Sequence, residues 1–181
     1  MRPRDATCAI RVCVQNESLV VYLNDHIAGS VAALELLEHL RDAYEGQPLE
    51  RFFADLHREI KADQDVLRNL LGRFEEKESA LRKTAAWVTE KFAHWKVKFA
   101  GEQVGGLGLV QALEMLVLGI RGKQLLWRAL AQADKTVTRD VDLAQLEDRA
   151  IVQQKRVEEK RLAAAREAFA SAADAAGQPS K

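Results

Sequence analysis

Between Pro48 and Pro179 the chain contains no proline, and its apolar residues recur at intervals of three and four rather than two. That period is the period of the α-helix, and no stretch alternates as a half-buried strand does. The one other proline, Pro3, precedes the periodic region. Stripes of this kind are buried most simply by packing helix against helix.

The residues Leu19, Leu23, Ile27, Val31, Leu34 and Leu37 predict a first helix over 17–44, ended by Gly46. Pro48 suits the first turn of a second helix over 49–74, where its missing N–H would have no partner in any case. Phe53, Leu56, Ile60, Leu67, Leu70 and Phe74 form the inward face of that helix. A third, shorter segment carries Leu81, Ala85, Val88, Phe92, Trp95 and Phe99 as a narrow heptad seam. Gly101 and the run Gly105-Gly106-Leu107-Gly108 break it, since glycine is permissive in loops and unfavourable in helices. A fourth helix over 109–133 bears Leu113, Leu116, Ile120, Trp127 and Leu130. Its interior glycines, Gly119 and Gly122, each cost about 1 kcal/mol relative to alanine, which predicts a close helix crossing or a kink. The last helix is expected from Asp142 to about Ala175, longer than its partners can cover.

The expected fold is therefore all-α: an antiparallel four-helix bundle of ferritin-like type, with the shorter amphipathic helix in the connection between the second and fourth helices. Residues 1–16 are expected to be a flexible N-terminal segment, 17–170 the bundle, and 171–181 a frayed or disordered tail.

At 181 residues the chain is long enough to bury a core without a metal or disulfide. Lys plus Arg and Asp plus Glu are equal at 27 each, so there is no global field to draw nucleic acid, and none is expected as a partner. No apolar run approaches the roughly 18 residues that a membrane-spanning helix requires. Cys8 and Cys13 are expected to lie outside the helical part, where they cannot staple a core, and no role is read for them. With so few cysteines a reducing compartment is the default, and a cytoplasmic location in a bacterium is taken as the working assumption. The third segment sets Trp87, Trp95, Phe92 and Phe99 beside Lys83, Lys91, Lys96 and Lys98, as a membrane-surface or partner-binding helix does. Packing on the bundle is the commoner fate of such a seam, so peripheral membrane contact is disfavoured.

The runs Tyr22-Leu23-Asn24-Asp25-His26-Ile27-Ala28-Gly29-Ser30 and Gly119-Ile120-Arg121-Gly122-Lys123-Gln124-Leu125-Leu126-Trp127-Arg128 resemble segments of small bacterial proteins of ferritin-like fold. The resemblance covers about 18–168. It implies a fold and no activity, and it transfers no functional residue.

A carboxylate di-iron site needs a Glu on each of two helices and Glu-x-x-His on each of the other two, so that all ligands face inward. That spacing is absent, and no cofactor is predicted. If iron or manganese is bound after all, Glu35, His39, Asp63 and Glu114 are the ligand candidates. A different signal is polar residues set into apolar stripes. Asp63 continues the series 53, 56, 60, 67, 70, and Lys123 the series 113, 116, 120, 127, 130. Gln153 stands likewise among 146, 150 and 157, and His26 borders Ile27 and Ser30. A lone buried charge is very unfavourable, so Asp63 and Lys123 are expected to pair in a central polar layer. That layer either fixes helix register or lines a small pocket. The first case gives a non-enzymatic protein acting through a protein partner or as a homo-oligomer; the alternative binds a metal or small ligand in the layer.

Overall fold

The computed structural model describes the backbone of residues 4–75, 106–133 and 135–176, and the side chains of 17–74, 106–133 and 135–170. Among these residues there are four α-helices and no strand: α1 (Arg4–Ala43), α2 (Pro48–Glu75), α3 (Leu107–Leu130) and α4 (Leu143–Ala176). The predicted short helix, with its seam from Leu81 to Phe99, lies outside the described residues. None of the helices described is long and apolar enough to cross a membrane.

α1 begins at Arg4, well before Glu17. From Arg4 onward no proline or glycine occurs before Gly29, so nothing local stops the helix, and its first turns need no apolar stripe to form. Cys8 and Cys13 consequently fall on α1 and not outside the helical part.

The ends of the other helices have local causes. Gly46 adopts φ 75°, a left-handed conformation that glycine enters without a Cβ clash, and this turns the chain out of α1. Its amide N–H donates to Glu50 Oε2 at 2.7 Å, which holds the first turn of α2 against the turn before it. Gly106, also left-handed at φ 54°, opens α3. At the start of α4, Asp142 Oδ1 accepts from the Gln145 amide at 2.9 Å and so caps the helix. The loop before it is held from α2, where Arg73 donates to the carbonyls of Val137 and Arg139 at 3.0 and 2.8 Å.

α1 packs along α2 and α3 along α4, with a smaller contact between α1 and α3. Ser30 meets Gln64 and Glu38 meets His57 across the first pair. Lys123 meets Gln153 and Arg128 meets Glu147 across the second. The core combines Leu23, Leu37 and Leu40 of α1 with Phe53, Leu56, Leu67 and Leu70 of α2, Leu113, Leu116, Trp127 and Leu130 of α3, and Leu146, Ala150 and Val157 of α4. Each large side chain so buried contributes about 1.5–3 kcal/mol. Of the predicted stripes, Leu19, Ile27, Val31 and Phe74 are only half-buried, while Leu40 is fully enclosed.

Candidate functional site

Midway along the helices the apolar core is interrupted by charge. Asp63 of α2 is 1 % exposed, and each of its carboxylate oxygens accepts from a different cation. Lys123 Nζ of α3 donates to Oδ2, and Arg149 Nη2 of α4 donates to Oδ1. Lys123 also donates to Gln153 Oε1, so Asp63, Lys123, Arg149 and Gln153 tie three helices together. Gln153 is fully enclosed, and its Nε2 has no hydrogen-bond partner. Burial holds the Lys123 ammonium below the ordinary lysine value, against the opposing pull of the Asp63 carboxylate.

Beside this layer lies a cavity of about 210 Å³ between α1, α2 and α3. Its walls are largely apolar, with Ala33, Ile60, Leu67, Leu116, Ile120 and Leu126 among them. Asp63, Lys123, His26, Ser30 and Gln64 supply its polar groups, and Asp25 stands exposed among the lining residues. Three helical glycines, Gly29, Gly119 and Gly122, also line it. A Cβ added at any of the three would meet no atom of the described residues within 4 Å. Among the described residues Gly119 and Gly122 therefore serve no close helix crossing of the kind the sequence suggests, and α3 runs unbroken through both. Each remains about 1 kcal/mol less favourable than alanine in a helix, and what their missing side chains provide is open space at the cavity.

The residues singled out from sequence separate into two groups. Asp63, Lys123 and Gln153 meet at the layer, and His26 joins Asp63 and Lys123 on the cavity wall. The metal-ligand candidates do not converge: Glu35, His39 and Glu114 are exposed, whereas Asp63 is buried between two cations. Glu35 and His39 share a face of α1, but it is an outer face. Among the described residues no group of three or more His, Cys, Asp or Glu side chains is placed to hold a metal ion.

Sequence reasoning misses Arg149 and Gln64. Arg149 lies one residue before the stripe position Ala150 and reaches Asp63 from the boundary, its side chain still 37 % exposed. Gln64, next to Asp63, is buried and donates to Ser30 Oγ at 2.8 Å. A four-residue step from Gln153 back to Arg149 was the available signal for the first; the second has none. Further along α4, Arg156 donates to Glu59 of α2 at 2.7 Å and, with Lys160, lies over the Phe52 ring.

His26 packs edge-on to Tyr22, with ring centroids 4.7 Å apart. Burial lowers its pKa from 6.5, and the nearby Asp25 carboxylate opposes the shift. The folded ring thus binds its proton more weakly than the unfolded one. Its contribution to stability is complete above pH 6.5 and is lost as pH falls from there through the folded value. Ring resonances of His26 are accordingly expected to titrate with a midpoint below 6.5; a midpoint above it would show a solvated or carboxylate-paired ring.

Comparison with known protein families, curated proteins and solved structures yields no match to this chain.

Proposed function

We propose that the protein is a binding protein for a small ligand, held in the cavity beside the Asp63–Lys123 layer. The observation that carries this reading is the coincidence of the cavity with the buried charges of Asp63 and Lys123. Pockets for small molecules have this make-up, mostly apolar walls with a few convergent polar groups.

The architecture that suits this site is an antiparallel four-helix bundle of ferritin-like type. Supporting it, partners on α1 and α2 run in opposite numerical order, Ser30 with Gln64 and Glu38 with His57. The same holds on α3 and α4 for Lys123 with Gln153 and Arg128 with Glu147. The resemblance of the Tyr22–Ser30 and Gly119–Arg128 runs to bacterial ferritin-like proteins points the same way. A fold of that type does not bring ferritin chemistry with it. Iron or manganese would need carboxylates that face one another, and the one buried carboxylate among the described residues is engaged by two cations.

Gly122→Leu tests the reading, because the new side chain enters open space while the charged layer stays intact. Binding of an apolar probe such as toluene is expected to weaken at least about tenfold, as steric filling of a ligand site does. Unchanged binding would place the probe elsewhere.

A second reading, self-association or contact with a protein partner, draws on Met115, Leu118 and Leu125, exposed at 40 %, 59 % and 48 % along α3. Sedimentation of the purified chain separates the two, since a ligand-binding monomer and an obligate dimer differ twofold in mass.

A further inference from the structure

The charges of the buried layer do not balance. Asp63 offers a single negative charge, and both of its oxygens are already occupied, one by Lys123 and the other by Arg149. Glu59, the next carboxylate to act on Lys123, is itself taken up by Arg156. The layer therefore carries one cation more than its carboxylate neutralises. Asp25, the remaining acid among the lining residues, is exposed and its charge is screened by water.

Hydrogen-bonding capacity is equally one-sided. An ammonium has three N–H donors, of which Asp63 and Gln153 take two from Lys123. The Gln64 amide nitrogen has two donors, and Ser30 takes one. The oxygens that face these groups are spoken for: Gln64 Oε1 accepts from Lys61 at 3.2 Å, and Ser30 Oγ donates to the Ile27 carbonyl at 2.6 Å while accepting from Gln64. What the described residues present to an occupant of the cavity is spare N–H donors on Lys123 and Gln64 beside a carboxylate whose two oxygens are occupied, with apolar walls over the rest.

Resting on the small-ligand reading above, we infer that the cavity takes a small monocarboxylate with an apolar body, its carboxylate seated on Lys123 and Gln64. Among the described residues a cation would find both oxygens of the buried Asp63 occupied and only the exposed, water-screened Asp25 to pair with. A neutral acceptor would hydrogen-bond the same donors but lack the charge attraction that a carboxylate has for a largely buried ammonium. Size sets the rest. A cavity of about 150 Å³ accommodates benzene. At about 210 Å³, this one has room for a six-membered ring or a short branched chain together with a carboxyl group.

Three probes of nearly the same shape and different head charge decide the matter: phenylacetate, phenylacetamide and phenethylamine, titrated calorimetrically into the full chain, its Lys123→Met variant and its Gly122→Leu variant. Phenylacetate is expected to bind at least about tenfold tighter than phenylacetamide, with phenethylamine weakest, as head-group pairing with one buried cation provides. Lys123→Met is expected to erase the preference for phenylacetate while phenylacetamide still binds, because Asp63 keeps Arg149 as its partner. Should Lys123→Met fail to fold, the ranking of the three probes on the unmodified chain, and their common loss in Gly122→Leu, carry the test alone. Equal binding of phenylacetate and phenylacetamide, or preference for phenethylamine, overturns the carboxylate assignment and leaves the pocket standing. Failure of all three probes to bind overturns both.

Discussion

Asp63→Ala is expected to destabilise the protein by about 3–5 kcal/mol, the range for removing one partner of a buried ion pair. The reason lies in what is left behind. Lys123, 11 % exposed, would lose its only direct carboxylate partner and keep only the neutral Gln153 oxygen, while Arg149, 37 % exposed, can turn to water. The stranded ammonium is the expensive group, and its escape is to shed a proton. Since its folded pKa already lies below 10.5, loss of Asp63 lowers it further. The deficit of the variant should then be largest near neutral pH and shrink as pH rises toward 10.5, where the unfolded lysine loses its proton too. Asp63→Ala combined with Lys123→Met should lose less than Asp63→Ala alone, because the unpaired charge goes with the carboxylate. Denaturant unfolding at two pH values measures all of this. A loss under about 0.5 kcal/mol, typical of surface positions, would mean that water reaches the pair.

Trp127→Ala is the second large effect, at about 3–5 kcal/mol for a fully enclosed tryptophan replaced by a methyl group. Trp127 is 0 % exposed in the part of α3 that faces the core, and its indole N–H has no hydrogen-bond partner among the described residues. The two facts pull a gentler substitution in opposite directions. Trp127→Phe opens a smaller void and also removes a buried donor whose desolvation costs about 1–3 kcal/mol. Its net loss is expected to stay below about 1.5 kcal/mol on those figures. If phenylalanine proved as damaging as alanine, the indole nitrogen would have to be making a bond that matters.

The helices and their inward faces were readable because burial on a helix imposes a period, and Leu113, Leu116, Ile120, Trp127 and Leu130 keep it. Asp63 and Lys123 stood out for the same reason, as charges set on apolar series. Arg149 did not, since a long side chain can start on the flank of a stripe and end inside, and spacing records only where it starts. The early start of α1 escaped notice because Arg4–Asn16 forms helix without an apolar stripe to announce it. The cavity was the least legible feature. Gly29 is on α1 and Gly119 and Gly122 are on α3, and their common purpose depends on how those helices face each other, which no single-helix pattern contains.

Those same glycines offer the most direct test of ligand binding in the cavity. Their backbone amides are probes built into its wall, while Gly46 and Gly106, in the turns before α2 and α3, are not among its lining residues and serve as references. On titration of the 15N-labelled protein with phenylacetamide, Gly29, Gly119 and Gly122 are expected to shift together and saturably, with Gly46 and Gly106 unmoved. Shifts that are absent, that never saturate, or that favour the reference glycines would contradict binding in the cavity.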